Sequence, residues 1–426
     1  MTVQAVHGGV YTRSNLRVLM ASMVGTAVEF YDFYIYATAA ALVFGPLFFP
    51  IGSSSAELIA SYASFGLAFL ARPVGAVMFG HFGDKLGRKS TLVASLMLMG
   101  FSTVMIAFLP TYQMIGWGAP LLLCILRFGQ GLGLGGEWGG AALLAVENAP
   151  PGYKARFGMF PQLGAPVGFI AANGLFLLLG VFLTQEQFFE WGWRIPFIGS
   201  AVLVGLGLWI RLSITETPDF QNAMEEEEPA KIPLKELIVN HWRETLAGMS
   251  AVVACFAIFY LSTAFALGYG TTTLGYSREE FLAVQMGAII FLAIGIVLAG
   301  YWADATSSRS VLILGCFATM AVGLVFGSMM EAGSIWMVFA CLSLALFVMG
   351  FVYGPLGAWL PAQFPTRVRY TGSSVAFHSG GILGGAAAPI VAQMLSDIGG
   401  LTLVGLYLAA AALISLIGLS LSKKIS

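Results

Sequence analysis

The chain has 426 residues, of which 58% are hydrophobic and only 10% charged, with 20 Lys+Arg against 21 Asp+Glu. A soluble domain carries about a quarter charged residues, and a nucleic-acid binder needs surplus basic side chains to neutralise phosphates. Both are excluded, as is a disordered chain, and a polytopic membrane protein remains.

Twelve stretches are long and apolar enough to cross a bilayer as helices, which takes about 20 residues each. In chain order they run over about 18–45, 57–82, 90–109, 118–146, 155–183, 194–213, 245–273, 281–303, 310–329, 334–360, 371–395 and 400–421. Runs such as LVASLMLMG and FLAIGIVLAG are unbroken, unlike the short alternating segments of a membrane β-barrel. The predicted fold is therefore all-α. The 53 glycines suit helices that approach one another closely in lipid. The first apolar run is longer than the core of a signal peptide.

The first span carries Glu29 and Asp32, three residues apart on one helix face, with Phe33 and Tyr36 extending that face. The second carries Arg72 and leads into Gly80-His-Phe-Gly-Asp84-Lys85-Leu-Gly87-Arg88-Lys89. Glycines there allow a tight turn, and Asp84 can pair with Arg88 or face a helix N-terminus. The fourth span carries Arg127, with Gln130 and Trp138 near its face and Glu137 about 80° round. A glycine run from Gly129 to Gly140 lets a neighbour or a ligand approach, and Glu147 sits at the span's end.

Residues 214–243 form the one long polar segment, with an acidic run at Glu225–Glu228, and read as a solvated linker. After the eighth span, Gly300-Tyr-Trp-Ala-Asp304 with Arg309 echoes the loop after the second. Lys154-Ala-Arg156-Phe-Gly after the fourth span is echoed by Arg367-Val-Arg369-Tyr-Thr-Gly after the tenth. Two echoes in register with the span count divide the chain into halves at 1–213 and 244–426, joined by the linker 214–243. Such repetition implies two six-helix bundles around a central site.

Of the 20 Lys+Arg residues, 16 fall on the side that holds both chain ends, which places both termini in the cytoplasm. The cysteines Cys124, Cys255, Cys316 and Cys341 each lie in a span without metal-type spacing. No metal and no cofactor is expected.

The segment GHFGDKLGRKS resembles the signature loop of the major facilitator superfamily. GTAVEFYDFYIYATAAALVFGPLFFP, LARPVGAVMFGHFGDKLGRK, RFGQGLGLGGEWGGAALL and FPTRVRYTG resemble the metabolite:proton symporter family, and the first of them is most like its shikimate-transporter-like branch. The resemblance covers essentially the whole chain. It implies twelve transmembrane helices in two pseudo-symmetric six-helix bundles, proton-coupled uptake of a metabolite, and a rocker-switch cycle. It also implies a conformational role for Gly80, Asp84, Lys85, Gly87, Arg88, Lys89, Glu147, Asp304 and Arg309. The second copy keeps glycine and Asp304 but lacks the basic triplet. In the related sugar:proton symporters an aspartate of the first span and an arginine heading the fourth-span R-x-x-x-G motif form the coupling pair, and Asp32 and Arg127 match those positions.

Charges within spans are costly and mark functional sites by default. Three deep carboxylates (Glu29, Asp32, Glu137) face two arginines (Arg72, Arg127), so one acid is short of a partner and suited to holding a proton. Asp32, Glu29, Arg127 and Glu137 are the proton-coupling candidates. Substrate candidates are Arg127, Tyr36, Gln130 and Trp138 in the first half and Tyr353, Trp359 and His378 in the second. No metal cluster, no nucleophile–histidine–acid set and no nucleotide loop points to an enzyme. The sequence predicts a monomeric symporter of the cell membrane, whose partners are a proton, a small organic acid and the lipid bilayer, with no nucleic acid. A zwitterionic osmolyte of the proline/betaine type, or a proton-independent facilitator, is the alternative.

Overall fold

Long apolar sequence with few interior breakers folds here as long helices. The computed structural model describes residues 13–50, 52–86, 88–213, 233–365 and 368–422. The first six spans are α1 (Arg13–Leu42), α2 (Ser54–Leu86), α3 (Arg88–Ile106), α4 (Gly118–Glu147), α5 (Lys154–Phe182) and α6 (Ile195–Ser213). The next four are α7 (Trp242–Thr272), α8 (Arg278–Ala305), α9 (Ser308–Met330) and α10 (Ile335–Ala362). The last stretch, Arg369–Leu421, breaks at Gly399 and Gly400 into α11 (369–398) and α12 (401–421). Gly400 has φ +70°, a backbone position that favours glycine. Among the described residues nine helical stretches meet the length and hydropathy of a membrane span. The last holds α11 and α12 together, and α1 and α3 complete the twelve.

The two halves repeat one packing pattern. In the first, α1 packs on α5, α2 and α3 on α4, and α3 on α6; in the second, α7 packs on α11, α8 and α9 on α10, and α9 on α12. Between the halves, α5 packs on α8 and α2 on α11. The acidic run and most of the linker, residues 214–232, lie outside the described residues, as do the side chains of the motif from Gly80 to Lys89. Helix α2 runs on to Leu86, beyond the apolar stretch itself, and α3 begins at Arg88.

Glycine sets the closest approaches. A Cβ at Gly75 would stand 2.1 Å from Leu132 O, one at Gly131 2.4 Å from Ala68 O, and one at Gly135 2.1 Å from Arg72 O. The α4 glycine run therefore admits the α2 backbone rather than a ligand at these positions. The second half has the same device, with Gly295 of α8 2.3 Å from Phe347 O and Gly350 of α10 2.3 Å from Gly295 C by the same measure. Without a hydrophobic drive between helices in lipid, such close packing supplies much of their association.

Two helices of the second half depart from regular geometry. Residues Leu261–Phe265 in α7 and Ile382–Ala386 in α11 form π turns, which free backbone carbonyls locally. Gln285 of α8 takes up two of them, its Nε2 donating to Ser262 O at 3.1 Å and Thr263 O at 2.8 Å. Large apolar side chains such as Phe101, Phe108, Val202 and Leu324 are exposed and form the lipid-facing surface.

Candidate functional site

Where the bundles meet they surround a cavity. From the first half it is bordered by Glu29, Phe30, Phe33 and Tyr34 of α1, Arg72 of α2, Leu134 and Trp138 of α4, and Ala165 of α5. From the second half come Cys255, Phe256, Phe259 and Tyr260 of α7, Met349 and Tyr353 of α10, and Phe377 and His378 of α11. Glu29 is within electrostatic reach of Arg72 and Tyr353. Arg72 Nε, Trp138 Nε1 and Tyr353 Oη are buried without a hydrogen-bond partner, and His378 stands beside the Gly135 backbone. Buried polar atoms normally find a partner, so this concentration at one cavity marks it as a ligand site.

The two halves are in contact towards both ends of the molecule. At the end where α1 begins and α12 finishes, Asp304 of α8 accepts from the backbone N–H groups of Ala155 (2.8 Å) and Arg156 (3.1 Å) and pairs with Arg156 Nε at 3.2 Å. A carboxylate on the first turn of α5 meets the positive end of that helix. Nearby, Tyr370 donates to Gly136 O and Gln162 Nε2 to Tyr353 O at 3.1 Å. Trp138 and Phe377 stack across the interface, centroids 3.7 Å apart and planes 3° from parallel. At the opposite end Ser55 of α2 donates to Asp397 of α11, Gln393 Nε2 lies 3.0 Å from Asp397 Oδ1, and Tyr62 donates to Ala264 O at 3.0 Å. A smaller cavity lies on that side, lined by Thr38, Thr263 and Gln285 among others, and Tyr34 borders both cavities.

The remaining deep charges sit behind the cavity wall. Asp32 is fully buried; it accepts from Ser200 Oγ of α6 at 2.5 Å and from Thr103 Oγ1 of α3 at 3.3 Å. Arg127 is also fully buried. Its Nη1 donates to Gln130 Oε1 and its Nε to Phe65 O at 3.3 Å, and its guanidinium lies over the rings of Tyr36, Phe33 and Phe65 at 4.0, 4.6 and 4.9 Å. Gln130 Nε2 donates to Thr103 Oγ1 at 2.8 Å and to the Asp32 carbonyl at 3.2 Å. No ion pair within 4 Å joins Asp32 to Arg127 among the described residues; Gln130 and Thr103 bridge them. Glu137 accepts from Ser95 Oγ of α3 at 3.0 Å.

Glu29, Trp138, Tyr353 and His378 thus border the cavity, whereas Asp32, Arg127, Tyr36, Gln130, Glu137 and Trp359 are not among its lining residues. Glu147 is exposed at the end of α4, and Arg309 Nε donates to Leu419 O at 3.0 Å, tying α9 to α12. Sequence reasoning gave Arg72 no ligand role and missed Ser200 and Thr103. A fifth charge that span counting left without a task pointed to Arg72; single hydroxyls in membrane helices give no such signal.

Residues 17–245 match the Sugar (and other) transporter family. The chain is 50% identical to the inner membrane metabolite transport protein YhjE of Escherichia coli, over 98% of this chain and 97% of that protein. It is 38% identical to the shikimate transporter of the same organism, over 94% and 92%, and 30% identical to the proline/betaine transporter of Salmonella typhimurium, over 96% and 83%. Among solved structures, the partially occluded inward open xylose transporter XylE of E. coli superposes with a TM-score of 0.72 at 16% identity, over 94% of this chain and 97% of that one. These relatives and neighbours are transporters rather than enzymes. The chain belongs to the Sugar (and other) transporter family and is a multi-pass membrane transporter of the major facilitator superfamily.

Proposed function

We propose that the protein is a secondary active symporter that carries a small organic acid inward with protons, by alternating access, across the inner membrane. Both termini are cytoplasmic in this reading, the halves 1–213 and 244–426 are the two moving bodies, and the chain works as a monomer. The observation that carries it is the lining of the cavity, where Arg72 faces the second half and buried donors of Trp138 and Tyr353 lack acceptors. Each donor left unsatisfied costs roughly 1–3 kcal/mol, so a ligand rich in oxygen acceptors is favoured. The relative named as a shikimate transporter supports an acid. Glu29, Asp32 and Glu137 supply deep acids for the proton, Arg127 supplies a buried cation to couple with them, and the contacts of Asp304 supply a gate.

A second reading has a specific observation behind it. The rings of Phe33, Tyr260, Phe256 and Phe377 surround a cavity that also holds Glu29, a setting that also suits the cation of a zwitterionic osmolyte. The relative named as a proline/betaine transporter fits it. Uptake into proteoliposomes under an imposed pH gradient separates the alternatives. Uphill accumulation of a labelled organic acid is expected. Flux that ignores the gradient would indicate a facilitator, and accumulation of betaine alone would select the osmolyte.

A further inference from the structure

The five deep charges occupy two kinds of place. Asp32 and Arg127 are linked through Thr103 and Gln130 behind the cavity wall, and Glu137 is turned to Ser95. Of the five, only Glu29 and Arg72 border the cavity. We propose that Glu29 holds the proton that travels with the substrate, and that Arg72 anchors the carboxylate of a compact, hydroxylated monoanion. This rests on the cavity being the substrate site.

Access comes first. A transported proton must be reached from whichever side the cavity opens to, together with the substrate. Glu29 meets that condition by position. Asp32 is sealed by the hydroxyls of Ser200 and Thr103 and would need the bundle itself to open.

Charge comes second. With both ionised, Glu29 and Arg72 leave the cavity neutral. A substrate carboxylate entering beside ionised Glu29 would leave an uncompensated anion in a water-poor, aromatic-walled space, which is strongly disfavoured. Taking one proton onto Glu29 from the water of the entry side restores neutrality and releases Arg72 to the substrate. On the other side the carboxylate departs, Glu29 gives its proton to water and its charge again balances that of Arg72. One proton and one monoanion cross per cycle, and no net charge moves. The other titratable groups facing Glu29 around the cavity are Tyr34, Cys255, Tyr260, Tyr353 and His378. The tyrosines and the thiol are neutral in their ordinary range at pH 7, and His378 is the only other basic group among them. A dicarboxylate therefore lacks a second fixed cation.

Hydrogen-bonding capacity comes third. Beyond Arg72, the unpartnered Trp138 Nε1 and Tyr353 Oη can meet hydroxyl oxygens, while Phe256 and Phe377 cover the carbon frame.

The test uses purified full-length protein in proteoliposomes with three labelled probes: shikimate as a hydroxylated ring monocarboxylate, succinate as a dicarboxylate and glycine betaine as a zwitterion. Wild type should accumulate shikimate at least tenfold under an inside-alkaline pH gradient, but not under a potassium–valinomycin potential alone. Glu29→Gln should reach only equilibration while keeping shikimate counterflow within a few-fold of wild type. Asp32→Asn should still accumulate, at a lower rate. Arg72→Lys should raise the KM for shikimate tenfold or more. Calorimetry on unmodified protein, in buffers of different ionisation enthalpy between pH 6 and 9, should show about one proton taken up per shikimate bound, so the result does not depend on any variant folding. Uphill accumulation by Glu29→Gln, uptake driven by potential alone, or binding without proton uptake at any of these pH values would each overturn the assignment while leaving the organic-acid reading intact. Wild-type accumulation of glycine betaine but neither acid would overturn both.

Discussion

Arg72 and Arg127 lie over the same aromatic ring. Their guanidinium carbons stand 4.3 and 4.6 Å from the centroid of Phe33. Arg72 borders the cavity and Arg127 does not, so this one ring joins the ligand site to the buried network behind it. Two cations would otherwise repel in a poorly screened interior, and the negative face of the ring offsets part of that repulsion.

Phe33→Leu keeps an apolar side chain but removes both cation–ring contacts, each worth about 0.5–2 kcal/mol. We expect a fall in melting temperature of several degrees in detergent and a loss of substrate affinity of several-fold. Scanning calorimetry and equilibrium binding check the two effects separately. Unchanged affinity would mean that the ring acts only in packing.

Thr103 is the centre of the bridge between Asp32 and Arg127, accepting from Gln130 and standing next to Asp32 Oδ2. Thr103→Val matches its shape but can neither accept nor donate, leaving Gln130 Nε2 and Asp32 each short of a partner at roughly 1–3 kcal/mol per unsatisfied group. The variant should be measurably less stable, and Thr103→Ser should restore it. The pH dependence of uptake should stay as in wild type, because the transported proton is assigned to Glu29 and not to Asp32.

The Asp304 contacts close one end of the interface on the α5 N-terminus. Asp304→Asn retains a hydrogen-bond acceptor but loses the charge that faces Arg156 and the helix end. A charge at a helix terminus is worth about 0.3–1 kcal/mol when exposed and up to ~2 kcal/mol when partly buried. Distances across the interface by spin labelling should shift towards a state open at that end, while substrate affinity in the cavity changes little. A large loss of affinity with an unchanged distance distribution would contradict a gating role.

Phe377→Leu removes the ring stacked on Trp138, an interaction worth about 0.5–1.5 kcal/mol beyond its buried area. Cys255 borders the same cavity and is 1% exposed. The variant should let a small thiol reagent reach Cys255 several times faster than wild type does. Mass spectrometry of the labelled protein reads this directly, with Cys255→Ser as the control for the other three thiols.

Gly135→Ala tests the glycine packing. Its new methyl would stand 2.1 Å from Arg72 O and 2.6 Å from Ala76 N, and a backbone wall cannot yield as a flexible side chain can. We expect failure to reach a folded, monodisperse protein, whereas Gly205→Ala, with open space around its Cβ, should be tolerated.

The spans were legible in the sequence because apolar length is a local property of the chain. So was the split into two halves, since each echoed loop sits at the end of a matching span. Helical phase was less informative at the site. Glu29 and Asp32 are three residues apart, yet the roughly 60° between them is enough to put Glu29 at the cavity and turn Asp32 towards Thr103 and Ser200. Those hydroxyls come from α3 and α6, so nothing near residue 32 could announce them. Gln130 was read as a ligand because it shares a face with Arg127, and the structure spends that proximity on a hydrogen bond between the two. Glu137, placed well round the helix from Arg127, does face a different neighbour, Ser95.

The glycine contacts bear on how the molecule can deform. Where backbone rests on backbone, as α2 does on α4 and α8 on α10, no side chain can change rotamer to absorb a shear, so each pair moves like a riveted beam. Bending has to be taken up where the hydrogen-bond ladder is already interrupted. Those places include the π turns of α7 and α11 in the second half, and in the first half the break in α4 between Leu134 and Trp138 and the break in α5 at Leu163. Each half therefore carries short collars of compliance beside the cavity, set between stretches that cannot shear.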